Sequence, residues 1–216
     1  MTTRKKAPVQ EAFKIWQAAN PHPETELAYT TPFQLLVAVV LSAQMTDTGV
    51  NKATAPLFKT VKAPEDLIAL SLEEVETALK SINLFRTKAK NILALAHLLI
   101  EKHGSKVPLN REALEALPGV GRKTANVVLG ALTDEPQMAV DTHVFRLAHR
   151  LGWSRGKTPL DVEKDLMKLI PKPYQKHAHH WLILHGRYIC TAKKPKCDTC
   201  PLAPTCPKIG LSKTTS

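Results

Sequence analysis

The stretch from Glu112 to Leu129 constrains this chain more than any other. Two short helical runs, Glu112-Ala113-Leu114-Glu115-Ala116-Leu117 and Arg122-Lys123-Thr124-Ala125-Asn126-Val127-Val128-Leu129, are separated only by Pro118-Gly119-Val120-Gly121. Pro118 ends the first helix, and Gly119 and Gly121 are free to take positive φ, so a turn too tight for ordinary residues becomes possible. The glycines leave the backbone N–H groups of Gly119, Val120, Gly121 and Arg122 bare at the positive end of the second helix, which makes a seat for a phosphate. Gly-Val-Gly alone would fit an ordinary helical hairpin equally well. Lys123 tips the reading: it stands beside the seat, where partial burial at a helix N-terminus would loosen its proton and free the amine as a nucleophile.

Eighteen residues beyond Lys123 comes Asp141, after the apolar pair Ala139-Val140 and before Thr142-His143-Val144-Phe145-Arg146, which reads as a new helix. Asp141 is a good N-cap, and a cap is its plain reading. Thirty Lys and Arg against nineteen Asp and Glu give a net charge of +11, which calls for an anionic partner, nucleic acid first. No apolar run of membrane-spanning length occurs, and the basic start of the chain is not followed by the apolar stretch of a signal peptide, so the expected place is the cytoplasm. Structural disulfides are rare there, yet all four cysteines fall in the last 27 residues. Clustering of that kind points to a metal. Cys190, Cys197, Cys200 and Cys206 are separated by six, two and five residues, one close pair with two outlying ligands. Zinc ribbons usually offer two close pairs, and prolines 195, 201, 204 and 207 stiffen the turns, so the pattern suits an iron-sulfur cubane better.

Leu-Pro-Gly-Val-Gly-Arg-Lys-Thr-Ala-Asn-Val-Val, followed by Val-Asp-Thr-His, resembles the helix-hairpin-helix and Gly-Pro-Asp superfamily of DNA glycosylases, and within it the endonuclease III branch. The resemblance runs from about Asn20 to Cys206. It implies a 4Fe-4S cluster on the four cysteines. It also implies that Gln44 fills the space left by an extruded nucleotide, and that the loop Ser81-Ile82-Asn83-Leu84-Phe85-Arg86 supplies a wedge, for which Leu84 is the candidate and core packing the rival role. At the place of Asn83 the family more often has glycine; asparagine tolerates the left-handed region well enough to keep the loop shape.

Almost no stretch alternates with period two, so the fold class is all-α. Phe13, Ile15, Trp16 and Ala19 suit a first helix, stopped by Asn20-Pro21-His22-Pro23. Thr31-Pro32 opens a helix whose body, Phe33 to Leu41, is apolar on every side and therefore a core helix. Ser71-Leu72-Glu73-Glu74 is a capping box, and further helices are expected over 87–103, 143–151, 159–170 and 174–189. The resemblance implies two lobes: residues 25–135, a bundle with the helix-hairpin-helix at about 112–131, and residues 1–24 with 136–216, carrying the cluster loop 190–206. Lys123 and Asp141 then come from different lobes, with a flipped base held in the cleft. His177, His179, His180 and His185 have no accompanying carboxylate and read as part of a basic surface and not as ligands. Lys193, Lys194 and Lys196, between the first two cysteines, present positive charge to a phosphate backbone.

The expectation is a bifunctional DNA glycosylase and abasic-site lyase for damaged, chiefly oxidised, pyrimidines. It would act as a monomer, without membrane, on double-stranded DNA carrying damaged bases or abasic sites, in the cytoplasm with the nucleoid. Lys123 would be the nucleophile; Asp141 would either stabilise the sugar cation or help take the proton from Lys123. The rival readings are a monofunctional mismatch glycosylase, which lacks a lysine at this place, and a non-enzymatic helix-hairpin-helix binding module. The second explains the hairpin and the charge but neither Asp141 nor the cysteines. Nothing in the sequence encodes the preferred lesion.

Overall fold

The computed structural model describes residues 6–211. Among these residues there is no strand, and the all-α expectation holds. The helices are α1 (Val9–Ala19), α2 (Pro32–Leu41), α3 (Asp47–Leu57), α4 (Pro64–Ile68), α5 (Leu72–Ala78), α6 (Phe85–His103), α7 (Arg111–Glu115), α8 (Arg122–Leu132), α9 (Thr142–Arg150), α10 (Pro159–Leu169) and α11 (Lys172–Tyr188). None is long and apolar enough to cross a membrane. The chain divides into two compact units, Thr25–Asp134 and Met1–Glu24 with Glu135–Ser216.

The unit Thr25–Asp134 is built on α2. The Thr31 hydroxyl accepts from the Gln34 N–H at 3.1 Å and donates to the Lys62 carbonyl at 2.8 Å, while Pro32 fills the first turn, where no intrahelical acceptor exists for an N–H. From Phe33 to Leu41 every residue is buried, and α3, α6 and α8 pack around them. A helix with no solvent face must bury Gln34 as well, which is 1% exposed. Its carboxamide is fully bonded: the oxygen accepts from the Thr30 N–H and hydroxyl, both at 2.8 Å, and the nitrogen donates to the Phe58 and Val61 carbonyls at 2.9 and 2.8 Å. The capping box at α5 forms as expected, with Ser71 and Glu74 bonded in both directions.

The other unit has an aromatic centre. Phe13 is stacked on Trp153 and Tyr174 and meets Trp16 and Trp181 edge-on, at centroid distances of 5.1 to 5.8 Å. All three indole N–H groups find partners: Trp153 donates to the Ala7 carbonyl, Trp181 to the Asn20 carbonyl, both at 2.8 Å, and Trp16 to Nδ1 of His185 at 3.1 Å. These three bonds and the ring contacts fasten the N-terminal segment to α11 and to the loop after α9, more than a hundred residues away. At Gly186, α11 crosses α9 so closely that a Cβ would lie 2.9 Å from the His143 carbonyl oxygen.

Gln34→Leu keeps the volume but leaves the Phe58 and Val61 carbonyls without their side-chain donors. We expect a loss of about 2–4 kcal/mol in urea unfolding at unchanged m-value; a loss below about 0.5 kcal/mol would mean that the network contributes nothing net.

Candidate functional site

The hairpin is α7, the turn 116–121 and α8, with Arg111 Nε donating to the buried Asn126 Oδ1 at 3.1 Å across the two helices. Gly119 does take positive φ, +79°, and a Cβ there would come within 3.1 Å of Val40 and 3.2 Å of Asn91. Gly121 does not: its φ is −103° and ψ 177°, and a Cβ on it would meet nothing within 4 Å. Neither backbone strain nor internal packing requires glycine at 121, so what the missing side chain keeps open is space outside the protein. The expected row of bare amides is also shorter than the sequence implies. The Val120 N–H donates to the Leu117 carbonyl at 3.1 Å and is unavailable to a ligand, because the turn closes one hydrogen bond on itself. Among the described residues the Gly119 and Gly121 amides donate to nothing. Gly121 is the N-cap of α8 and offers no capping side chain, so the first-turn amides of α8 lack an intrahelical acceptor. Lys123 is exposed, and among the described residues its amine has neither hydrogen bond nor ion pair. The partial burial expected there is absent, because the lysine lies on the outer side of the first turn while Ala125, Asn126, Val128 and Leu129 face inward.

Gln44 and Leu84 share an unusual backbone. Both are non-glycine residues in the left-handed region, at φ 59° and 57°, at a cost of roughly 1–2 kcal/mol each. Leu84 is 63% exposed, which excludes the core-packing role, and Gln44 is exposed too. Asn83 is not left-handed, contrary to expectation; Leu84 carries the positive φ, and the Asn83 side chain donates to the Gln44 carbonyl at 3.0 Å instead.

In the other unit Asp141 caps α9. Its Oδ1 accepts from the N–H groups of His143 and Val144, both at 2.8 Å, and among the described residues Oδ2 accepts nothing. One oxygen therefore holds the helix and leaves the second half of the carboxylate free.

Cys190, Cys197, Cys200 and Cys206 are free thiols that line a single cavity with Leu147, Leu202 and the side chains of Arg150 and His185. Among the described residues no three His, Cys, Asp or Glu side chains are set to hold one metal ion. Four thiols lining one cavity suit a polynuclear iron-sulfur cluster ligated by cysteine alone. Burial pushes the Cys200 and Cys206 thiols up, so they become thiolates only against metal charge. Two residues already point at the sulfurs. Arg150 donates to Cys190 Sγ at 3.3 Å and to the carbonyls of Thr191 and Ala192 at 2.7 and 2.9 Å. His185 lies 3.5 Å from Cys200 Sγ through Nε2. Burial holds the His185 imidazole down at about 4, hence neutral, and since its Nδ1 accepts from Trp16, its one proton sits on Nε2 and faces the sulfur. Lys193, Lys194 and Lys196 are exposed on the same loop.

Residues 37–172 match the model of the HhH-GPD superfamily of base excision DNA repair proteins, and residues 190–206 that of the iron-sulfur binding domain of endonuclease III. The chain belongs to the HhH-GPD superfamily. It is 54% identical to endonuclease III of Rickettsia conorii over 92% of this chain and 94% of that one. Against endonuclease III of Escherichia coli K12 the identity is 50%, over 87% of this chain and 89% of the other. The solved structure of a trapped endonuclease III–DNA covalent intermediate superposes with a TM-score of 0.86 at 47% identity, covering 92% of this chain and 93% of that one.

As in other iron-sulfur members of the HhH-GPD superfamily, the cofactor of the cysteine loop is a 4Fe-4S cluster. Three residues around these features have no motif to announce them. Arg150 and His185 reach the cysteines from other elements, and His185 is a buried residue, not the surface histidine its sequence context implies. Lys88 is 6% exposed and donates from Nζ to the Leu41 and Ala43 carbonyls at 2.9 and 2.6 Å. A signal for Lys88 does exist: it lies on the inward stripe of α6 with Ala89, Ile92, Leu95, Ala96 and Leu99.

Purified protein should be yellow-brown with about four irons per chain. Stoichiometric zinc in place of iron, after expression with iron in excess, would contradict the cluster.

Proposed function

We propose that Lys123 is the nucleophile and Asp141 the electrostatic partner in a bifunctional DNA glycosylase and abasic-site lyase for duplex DNA with damaged, chiefly oxidised, pyrimidines. The observation that carries the reading is the free amine of Lys123, in the first turn of the helix that follows the unbonded amides of Gly119 and Gly121. A glycosylase that uses water has no need of an amine at this place. A covalent enzyme–DNA intermediate, such as the one trapped for endonuclease III, requires a protein nucleophile.

The Gly119 and Gly121 amides and the first turn of α8 seat a backbone phosphate, and Gly121 admits it closely because no Cβ stands in the way. Lys193, Lys194 and Lys196 add sequence-independent attraction, and Gln44 and Leu84 enter the duplex where the damaged nucleotide leaves the stack. As the glycosidic C–N bond breaks, its electron pair leaves with the base and positive charge develops on the sugar. The free Oδ2 of Asp141 steadies that charge while Oδ1 stays bonded to the α9 amides. The protein leaves Lys123 exposed, so the bound DNA itself covers the amine. Its nitrogen bonds to the anomeric carbon, and ring opening gives an imine. Loss of the acidified 2′ proton then breaks the C3′–O bond and releases the phosphate by β-elimination. The cluster, when bound, cross-links the loop that carries the three lysines. We place this work in the cytoplasm, on nucleoid DNA, by the monomer.

Borohydride added during turnover should leave protein covalently joined to DNA, and Lys123→Gln should abolish that adduct while keeping lesion binding. Asp141→Asn preserves a cap of similar strength but should slow base excision on the order of a hundredfold, with a smaller loss on a preformed abasic site. Equal losses on both substrates would assign Asp141 to deprotonating Lys123, and an undiminished adduct with Lys123→Gln would end the lysine assignment. Replacing Lys193, Lys194 and Lys196 together should reduce the salt slope of binding by about 2 to 3; an unchanged slope would move the phosphate contacts elsewhere.

A further inference from the structure

Two exposed loops of the unit Thr25–Asp134 are joined far more firmly than exposed loops usually are. The Gln44 loop, residues 41–45, receives four hydrogen bonds from residues 83–88. Lys88 Nζ donates to the Leu41 and Ala43 carbonyls, the Asn83 N–H to Met45 Sδ at 3.4 Å, and Asn83 Nδ2 to the Gln44 carbonyl at 3.0 Å. The Lys88 bonds are buried or half-buried and close the C-terminal end of α2, where a cation also meets the negative end of the helix dipole. The Asn83 bonds lie at the surface and contribute little to the core.

The two surface bonds fall where the backbone is strained. Gln44 and Leu84 both hold left-handed φ, and a conformation of that kind in a non-glycine residue persists only where its surroundings over-determine it. Asn83 is the residue directly before Leu84, and its carboxamide grips the carbonyl of Gln44. Its own φ is ordinary, so the backbone does not call for asparagine or glycine there. Among the described residues its side chain makes one hydrogen bond, that to the Gln44 carbonyl. Movement of either strained residue is therefore passed to the other through two surface bonds, of which the carboxamide bond to Gln44 is the one that depends on the side chain at 83, above a foundation that Lys88 keeps fixed.

We propose that Asn83 is a positioning residue that couples Gln44 to Leu84, so that the two side chains enter damaged DNA as one wedge and not as two independent probes. The proposal rests on the reading of Gln44 and Leu84 as the inserted residues. An inserted pair that moves as a unit pays the unstacking of the duplex in one event. Glycine or alanine at 83 would remove the side-chain bond to Gln44 and leave only the backbone N–H contact to Met45 beside the two strained residues.

The test is a double-mutant cycle read by the dissociation constant for a duplex carrying a tetrahydrofuran abasic-site analogue, which forms no imine. Gln44→Ala, Leu84→Ala and the double variant are compared first with Asn83 present and then in an Asn83→Ala background. With Asn83 present, each single change should weaken binding at least fivefold, and the double variant should fall short of the product of the two losses by fivefold or more. In the Asn83→Ala background the same product should hold within twofold, with the melting temperature of Asn83→Ala close to that of the parent because the residue is exposed. Non-additivity is a readout that a merely structural role for Asn83 would not move. Single changes without effect on binding would overturn the insertion reading itself. Losses that multiply with Asn83 present would overturn the coupling while leaving insertion intact. Non-additivity that survives Asn83→Ala would overturn the role of Asn83.

Discussion

Helix α2 has no face toward water, and the rest of its unit depends on that condition. Nine successive buried residues, Phe33 to Leu41, can be sheltered only if helices close on every side, which α3, α6 and α8 do. Each functional feature of the unit is then referenced to the same rod. A Cβ on Gly119 would come within 3.1 Å of Val40, so the hairpin turn is set against the C-terminal end of α2. The last carbonyl of α2 and that of Ala43 just beyond it hold Lys88, and through Lys88 the start of α6 and the wedge loop. At the first turn, Gln34 binds the chain before α2 and the end of α3. The hydrophobic effect fixes the rod without direction; these polar contacts give it a register.

The residues assigned to function are those whose local interactions stop short. Among the described residues the Gly119 and Gly121 amides have no acceptor, Asp141 Oδ2 has no donor and the Lys123 amine has no partner, and Leu84 is 63% exposed. Each sits on or beside an element that is otherwise complete: the hairpin is bonded across its two helices, α9 is capped, and the Gln44 and Leu84 loops are bound to each other. An unfinished valence on a rigid base is what a ligand can complete without first ordering the protein, which keeps the entropic cost of binding low.

What was legible in the sequence was what depends on neighbours in sequence. The lack of period-two alternation, the Ser71–Glu74 capping box, the Thr31-Pro32 start, the Asp141 cap and the cysteine spacing all follow from residues a few positions apart, and the structure has them. The hairpin was legible as a shape but not in its details. Gly-Val-Gly does not say that one glycine takes the left-handed turn while the other only clears space, nor that Val120 closes its own hydrogen bond. A lysine at a helix N-terminus reads as partly buried, but helix phase turns Lys123 outward while Ala125 and Val128 turn in. The pairings of Trp16 with His185 and of Lys88 with Leu41 span 169 and 47 residues, and no local pattern carries them.

The cysteine loop shows why so small a segment needs both a cofactor and a charged neighbour. Leu202 is its one buried large side chain, too little apolar surface to fold seventeen residues by burial alone. Ligation supplies the missing free energy, but four thiolates around iron carry net negative charge into a half-buried cavity, which is costly unless donors meet it. Arg150 and the Nε2–H of His185 meet it from inside, at Cys190 and Cys200. Lys193, Lys194 and Lys196 are therefore not consumed in holding the cluster. They point outward, and their charge remains available to the phosphate backbone. A buried arginine for the metal and exposed lysines for the nucleic acid is a division that follows from chemistry: the planar guanidinium tolerates burial and grips several carbonyls at once, whereas the strongly hydrated ammonium is suited to stay in water until a phosphate replaces it.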